Sequence, residues 1–141
     1  RERRPPPCLP RRAPSRRVGK TPVMQPLAVH HVSINVNDVD TALRFYVDDL
    51  GFVPRRDRPD FGFPGAWLDA GGQQLHLIGG TPPPTLGQHF AVQVADLAAA
   101  VAELRAKGHT VTDPSPVGGN LQAFVDDPSG NTVELHEVGG A

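Results

Sequence analysis

The chain is poor in the features that cross-link a protein or anchor it to a membrane. Of its 141 residues a single one is cysteine, Cys8, so no intrachain disulfide can form. No apolar run approaches the roughly 18 residues that a helical membrane span requires. The opening residues, RERRPPPCLPRRAPSRRVGKTPV, lack the apolar stretch of a secretory signal. They are rich in arginine, as a transit peptide is, but six prolines in 23 residues oppose the amphipathic helix that such a peptide must form. A soluble cytoplasmic protein is expected. The net charge of -1 is near zero, yet it is unevenly spread: residues 1–23 carry eight Arg and Lys against one acid, and the remainder carries six against fourteen. An acidic body lacks the basic face that nucleic-acid binding needs. Residue 1 is not Met, and residues 1–23 read as a disordered basic, Pro-rich extension ahead of Met24, leaving 24–141 as one domain.

What is present is a repeat. HHVSINVNDVDTALRFYVDDLGF, from His30, lies over QHFAVQVADLAAAVAELRAKGHTV, from Gln88, so that His31 meets His89 and Asp38 meets Asp96. WLDAGGQQLHLI, from Trp67, lies over VDDPSGNTVELHE, from Val125, at the same offset of 58, and there His76 meets Glu134. Two separate segments sharing one offset define two copies of one unit, 27–79 and 88–138, joined by a Pro/Gly-rich linker over 79–87. HVSINV and HFAVQV alternate with period two, as half-buried strands do. Asp38 and Asp96 then read as helix N-caps before helices over 39–50 and 97–107, with Gly51 and Gly108 as their stops. FVPRR and HTVTD read as short strands, and each unit closes with a hairpin turning on Gly or Pro-Ser-Gly. Each unit is therefore βαβββ, and the fold class is α+β.

Strand alternation then sorts the polar residues. Val32, Ile34 and Val36 form the face that packs beneath a helix, so His31, Ser33 and Asn35 point away from it. His89, Gln74, His76, Glu134 and His136 fall on the corresponding faces, and His30 falls on the opposite one. Three imidazoles and one carboxylate, paired by the duplication and sharing one face, suit a borderline divalent ion with nitrogen and oxygen donors. We expect His31, His76, His89 and Glu134 to ligate one metal ion.

With these residues in view, HHVSINVNDVDTALRFYVDDLGF, GAWLDAGGQQLHLI, GQHFAVQVADL and DDPSGNTVELHE together resemble the vicinal oxygen chelate superfamily, the glyoxalase/bleomycin resistance/extradiol dioxygenase group, over residues 27–138. The resemblance implies two βαβββ units curling into a half-open mixed β-barrel around a metal held by the same four residues. It also implies a homodimer, a small-molecule substrate with vicinal oxygens, and one divalent ion (Ni, Co, Zn, Mn or Fe). Where glyoxalases of this group often carry Glu, this chain has His76. The implied activity is lyase or isomerase proton transfer through a metal-stabilised enediolate, with Glu134 as catalytic base. An Fe(II) ring-cleaving dioxygenase using His31, His89 and Glu134, and a non-catalytic antibiotic-binding protein, are the alternatives. Ser33, Trp67, Gln74, Arg55 and Phe63 are candidate substrate contacts: Phe61, Phe63 and Trp67 as a pocket wall, Arg55 as a carboxylate clamp. Gln93, Gln122 and Asn35 are candidates to orient substrate or water, and His136 to support Glu134. Phe45 and Tyr46 read as core.

Overall fold

The computed structural model describes Gly19 and residues 24–141. The extension expected over residues 1–23 therefore lies, Gly19 apart, outside the described residues. The first unit contains β1 (His31–Val36), α1 (Val39–Leu43), β2 (Val53–Pro54), β3 (Gly65–Ala70) and β4 (Gln73–Gly79). The second contains β5 (His89–Gln93), α2 (Leu97–Ala106), β6 (Ser115–Val117), β7 (Asn120–Asp126) and β8 (Thr132–Glu137). Each unit builds a four-stranded mixed sheet, in the orders β1-β4-β3-β2 and β5-β8-β7-β6. β1 and β5 run parallel to β4 and β8, and the remaining pairs are antiparallel. Among the described residues no ladder joins the two sheets, so the arrangement stays open rather than closing into a barrel. No helix among them is long and apolar enough to cross a membrane.

Both helices begin as the sequence predicts. Asp38, in extended backbone, accepts from Thr41 N at 2.7 Å, and Asp96 accepts from Ala99 N at 2.9 Å. Each bond satisfies an amide that the first helical turn leaves without a partner. The cap also holds the Asp38 carboxyl below its usual range, chiefly through that backbone bond. The first helix then departs from expectation, because beyond Leu43 it continues as a π-helix over Arg44–Asp49. The two N-caps stand 58 residues apart, whereas Gly51 and Gly108, the positive-φ residues that end the helices, stand 57 apart. The first helix is thus one residue longer, and a π turn is the means by which a helix absorbs an inserted residue without losing its register. Within that widened turn Phe45 and Tyr46, adjacent in sequence, are both fully buried.

HTVTD is not the strand it was expected to be. It supplies a single bridge, Val111 to Val125, and the outer strand of the second sheet is Ser115–Val117 instead. The reason is local: the Arg105 guanidinium, from the last turn of α2, donates twice to the Val111 carbonyl, which diverts that group from a ladder.

One apolar core runs through both units, with Phe45, Leu68 and Leu77 from the first and Leu97, Val125 and Leu135 from the second. A polar hub crosses it. Tyr46 donates its hydroxyl to Asp127 Oδ2 at 2.7 Å, from one unit to the other. Asp127 also accepts from Ser129 N, Asn131 N and Asn131 Nδ2, which fixes the turn between β7 and β8. Asn131 Nδ2 donates in addition to the Asn35 carbonyl of β1, and Ser129 Oγ accepts from Asn37 N. Burial, followed by the Asp127 charge and this hydrogen bond, pushes the Tyr46 phenol well above its ordinary range, so it remains a donor at all working pH. Tyr46→Phe should leave the buried carboxylate short of a donor and cost about 1–3 kcal/mol in urea unfolding, with the sheet content seen by circular dichroism preserved.

Candidate functional site

The face assignments hold throughout the four site strands. Val32 and Ile34 pack on the core while His31 and Ser33 are exposed. On β5 the exposed positions are His89, Ala91 and Gln93. Leu75 and Leu77 are buried on either side of His76, as Val133 and Leu135 are beside Glu134.

The structure brings the four predicted ligands together as two pairs. In the first sheet, Ser33 of β1 and Trp67 of β3 are the register partners of His76 on β4, and His31 sits one step along β1. The His31 and His76 rings stack with centroids 4.1 Å apart and planes 16° from parallel. In the second sheet, His89 Nε2 lies 3.5 Å from Glu134 Oε2. Among the described residues no three His, Cys, Asp or Glu side chains group closely enough to hold one ion. One member of each pair, His31 and His89, lines a different cleft along the seam between β1 and β5. His31 lines one of about 680 Å³ with Gln74, Phe52, Phe90 and Gln93, and His89 lines one of about 350 Å³ with Ser33, Gln88 and Asn131.

The donor chemistry of each pair suits a cation. His89 Nδ1 is 2.9 Å from the Gly87 carbonyl, which accepts only, so Nδ1 donates to it and Nε2 is turned toward Glu134. A backbone carbonyl holding one imidazole nitrogen is the usual way a metal-binding His is oriented. Glu134 is 9% exposed, yet the nitrogens nearest its two oxygens, on His89 and His136, are both 3.5 Å away. In the other pair, His76 Nε2 meets Gln74 Oε1 at 2.9 Å, so the proton sits on Nε2 and the Nδ1 lone pair is left for a ligand. Gln74 thus orients His76. Burial, and then the nearby charges of His31, His30 and Arg55, lower the His76 pKa from 6.5, which favours the neutral, ligating form.

Two readings of the sequence need correction. His30 was placed on the opposite face, but it precedes β1, where strand alternation does not apply. Its Nδ1 lies 2.9 Å from His31 Nδ1, with the rings edge-on. Arg55, the candidate carboxylate clamp, already has carboxylates: its Nε and Nη2 donate to Asp57, and its Nη1 to Asp69 at 2.8 Å. Those bonds to Asp57 and Asp69 raise its pKa further, and Asp57 is lowered in return by Arg55. Asn35 is likewise committed to structure, donating to Thr81 O. The other candidates lie on the site face or at its edge: Trp67 stacks on His76 at 4.5 Å, Phe61 and Phe63 follow beyond it, and His136 flanks Glu134. One contact that the sequence did not suggest is Phe124, whose ring meets His89 edge-on at 5.6 Å.

Residues 28–135 match the model of the Glyoxalase/Bleomycin resistance protein/Dioxygenase superfamily. The chain belongs to that family. It is 34% identical over 123 residues to a lactoylglutathione lyase of Arabidopsis thaliana, covering 77% of this chain and 44% of that protein. A lactoylglutathione lyase of Haemophilus influenzae is 30% identical over 125 residues, covering 79% and 93% respectively. Among solved structures, an antibiotic binding protein from a Streptomyces species superposes with a TM-score of 0.69 at 27% identity, covering 82% of this chain and 98% of its own. The chain spans less than half the length of the plant lactoylglutathione lyases it matches.

The depressed His76 pKa has a defined sign. In the unfolded chain the imidazole takes up a proton first as pH falls, so metal-free protein should lose stability below about pH 6.5. The His76 ring resonance in a proton NMR titration should have its midpoint below 6.5, and His76→Gln should flatten the fall in urea midpoint over that range.

Proposed function

We propose that this chain is a divalent-metal-dependent lyase or isomerase of glyoxalase type, and that its metal centre forms between two copies of the chain. The observation that carries the reading is the division of the ligands. His31 with His76, and His89 with Glu134, occupy equivalent places in the two repeats, and within one chain they remain apart. A two-fold axis that laid the first pair of one copy against the second pair of the other would create two identical four-ligand sites. His31, His76 and His89 would supply imidazole nitrogens and Glu134 a carboxylate oxygen, a set suited to Zn, Ni, Co, Mn or Fe(II). When bound, the ion supplies positive charge beside the oxygens of the substrate, which lowers the cost of drawing a proton from the neighbouring carbon.

The protein's own share of the chemistry falls on Glu134. Its environment is nearly dry, and its contacts at 3.5 Å are long enough to leave an oxygen free to take a proton. As the C–H bond next to a substrate carbonyl breaks, the proton passes to the carboxylate and the electron pair shifts toward the carbonyl oxygen. Return of the proton to the adjacent carbon completes an isomerisation with no net change in atoms. His136 Nδ1, beside Glu134 Oε1, stands where it would steady the carboxylate in either state. Gln74 and the Gly87 carbonyl hold the His76 and His89 rings in their orientations. The relatives named lactoylglutathione lyase support this reaction class, and the single carboxylate among four ligands makes the substrate a separate question.

Complementation tests both halves of the proposal. A His31→Ala/His76→Ala variant and a His89→Ala/Glu134→Gln variant should each bind no tight zinc and fail to isomerise the methylglyoxal–glutathione hemithioacetal. Unfolded together and refolded, they should recover about one quarter of the wild-type metal, since half of randomly paired dimers carry one intact site. Oxygen uptake with catechol in the Fe(II)-loaded protein would instead select the ring-cleaving reading.

A further inference from the structure

The first-sheet ligand pair is the end of a longer row of rings. His31 stacks on His76, and His76 stacks on Trp67 at 4.5 Å with planes 12° apart. Trp67 meets Phe61 at 6.1 Å, and Phe61 stacks on Phe63 at 5.6 Å. The row runs from β1 across β4 and β3 to the loop before β3. Its far end is open, with Phe61 and Phe63 48% and 45% exposed. Exposed aromatic side chains in ones and twos are ordinary, but these are held in place. The Arg58 guanidinium lies 5.0 Å from the Phe61 ring and 5.3 Å from the Phe63 ring, while its Nη2 donates to the Phe63 carbonyl. Asp60 accepts from Gly62 N. Gly65 leaves the space that Arg58 fills, since a Cβ there would stand 2.6 Å from Arg58 Nη2 and 2.6 Å from the Leu77 carbonyl. The loop is thus braced to present two rings beside the ligand pair.

We infer that this row is the specificity surface of the site, and that the substrate carries a flat aromatic group on its oxygen-bearing carbon. The inference rests on the metal reading above and adds the substrate class to it. Where the rings stack, His31 on His76 on Trp67 and Phe61 on Phe63, their faces are turned to one another and their edges outward, and between Trp67 and Phe61 the planes open by 50°. Ring edges are the positive rim of the aromatic quadrupole, and their complement is the negative face of another aromatic ring. Trp67 strengthens the fit: among the described residues its indole N–H has no hydrogen-bond partner and is not sealed from solvent, so it can donate to a substrate oxygen. A substrate with its oxygens toward His31 and His76 would lay an attached ring over Trp67 and Phe61. A small aliphatic substrate would leave the row uncovered.

Trp67 is the single tryptophan of the chain, so its fluorescence reports this surface alone. Zinc-loaded protein is titrated with mandelate and with lactate, two 2-hydroxy acids that share one chelating head and differ in phenyl against methyl. Mandelate should bind about tenfold more tightly by calorimetry and shift Trp67 emission. Phe61→Ala, and separately Phe61→Leu, should bring the ratio of the two affinities toward one while zinc stoichiometry is kept. Equal affinities in the wild type, or a ratio that survives loss of the Phe61 ring, would overturn the inference. So would a Phe61→Ala variant that keeps the ratio but weakens self-association, which would assign the rings to a subunit contact. Protein that takes up no zinc fails at the earlier step, bringing down the metal reading and this one with it.

Discussion

Asp127 is the residue on which the geometry of the molecule turns. It is buried, and its carboxyl group is satisfied by donors from Tyr46, Ser129 and Asn131. Tyr46 reaches it from the first unit, and the turn between β7 and β8 folds around it. That turn sets where β8 begins, and therefore which residue of β8 lies opposite Ala91 and carries the carboxylate of the site. Asn131, held by Asp127, bonds the end of β1, the strand that carries His31. A single buried charge thus ties the two sheets to each other and fixes the strands that hold both ligand pairs. A buried carboxylate is costly unless all of its partners are present, so the hub favours one arrangement of the units over nearby alternatives.

The duplication is exact in topology and relaxed in detail, and the differences bear on function. The extra residue of the first helix is absorbed by a π turn, which also brings Tyr46 to the hub. The equivalent candidate ligand positions diverged to His76 and Glu134, so one pair offers two imidazoles and the other an imidazole and a carboxylate. Their surroundings diverged accordingly. His76 lies between two rings, where burial keeps it neutral, and Glu134 lies between two imidazoles. Joining an all-nitrogen pair to a mixed pair, as proposed, would give a centre with one carboxylate, which would serve as both ligand and base.

Much of this was legible in the sequence because it depends on local rules. The 58-residue offset, the Asp38 and Asp96 caps, and the face of every site strand follow from spacing and alternation, and the structure agrees with each. What escaped depends on contacts across the fold or at the limits of a rule. His30 lies one residue outside the strand whose alternation was used to exclude it. Arg55 is occupied from both ranges, by Asp57 two residues on and by Asp69 fourteen residues on across the β2–β3 pair. The loss of the HTVTD strand follows from Arg105 reaching forward six residues. The separation of the two ligand pairs is a matter of how the sheets pack, which alternation within each sheet does not encode.

The central claim is that two ligand pairs in one duplicated chain are halves of one metal centre. X-ray absorption at the metal edge of the zinc-loaded dimer tests it most directly, because scattering from imidazole rings is distinct from that of water or carboxylate. The account predicts a first shell with three imidazole nitrogens and a carboxylate oxygen, lost when the dimer is dissociated. A shell of two or fewer imidazoles, or an unchanged shell in the monomer, would contradict it.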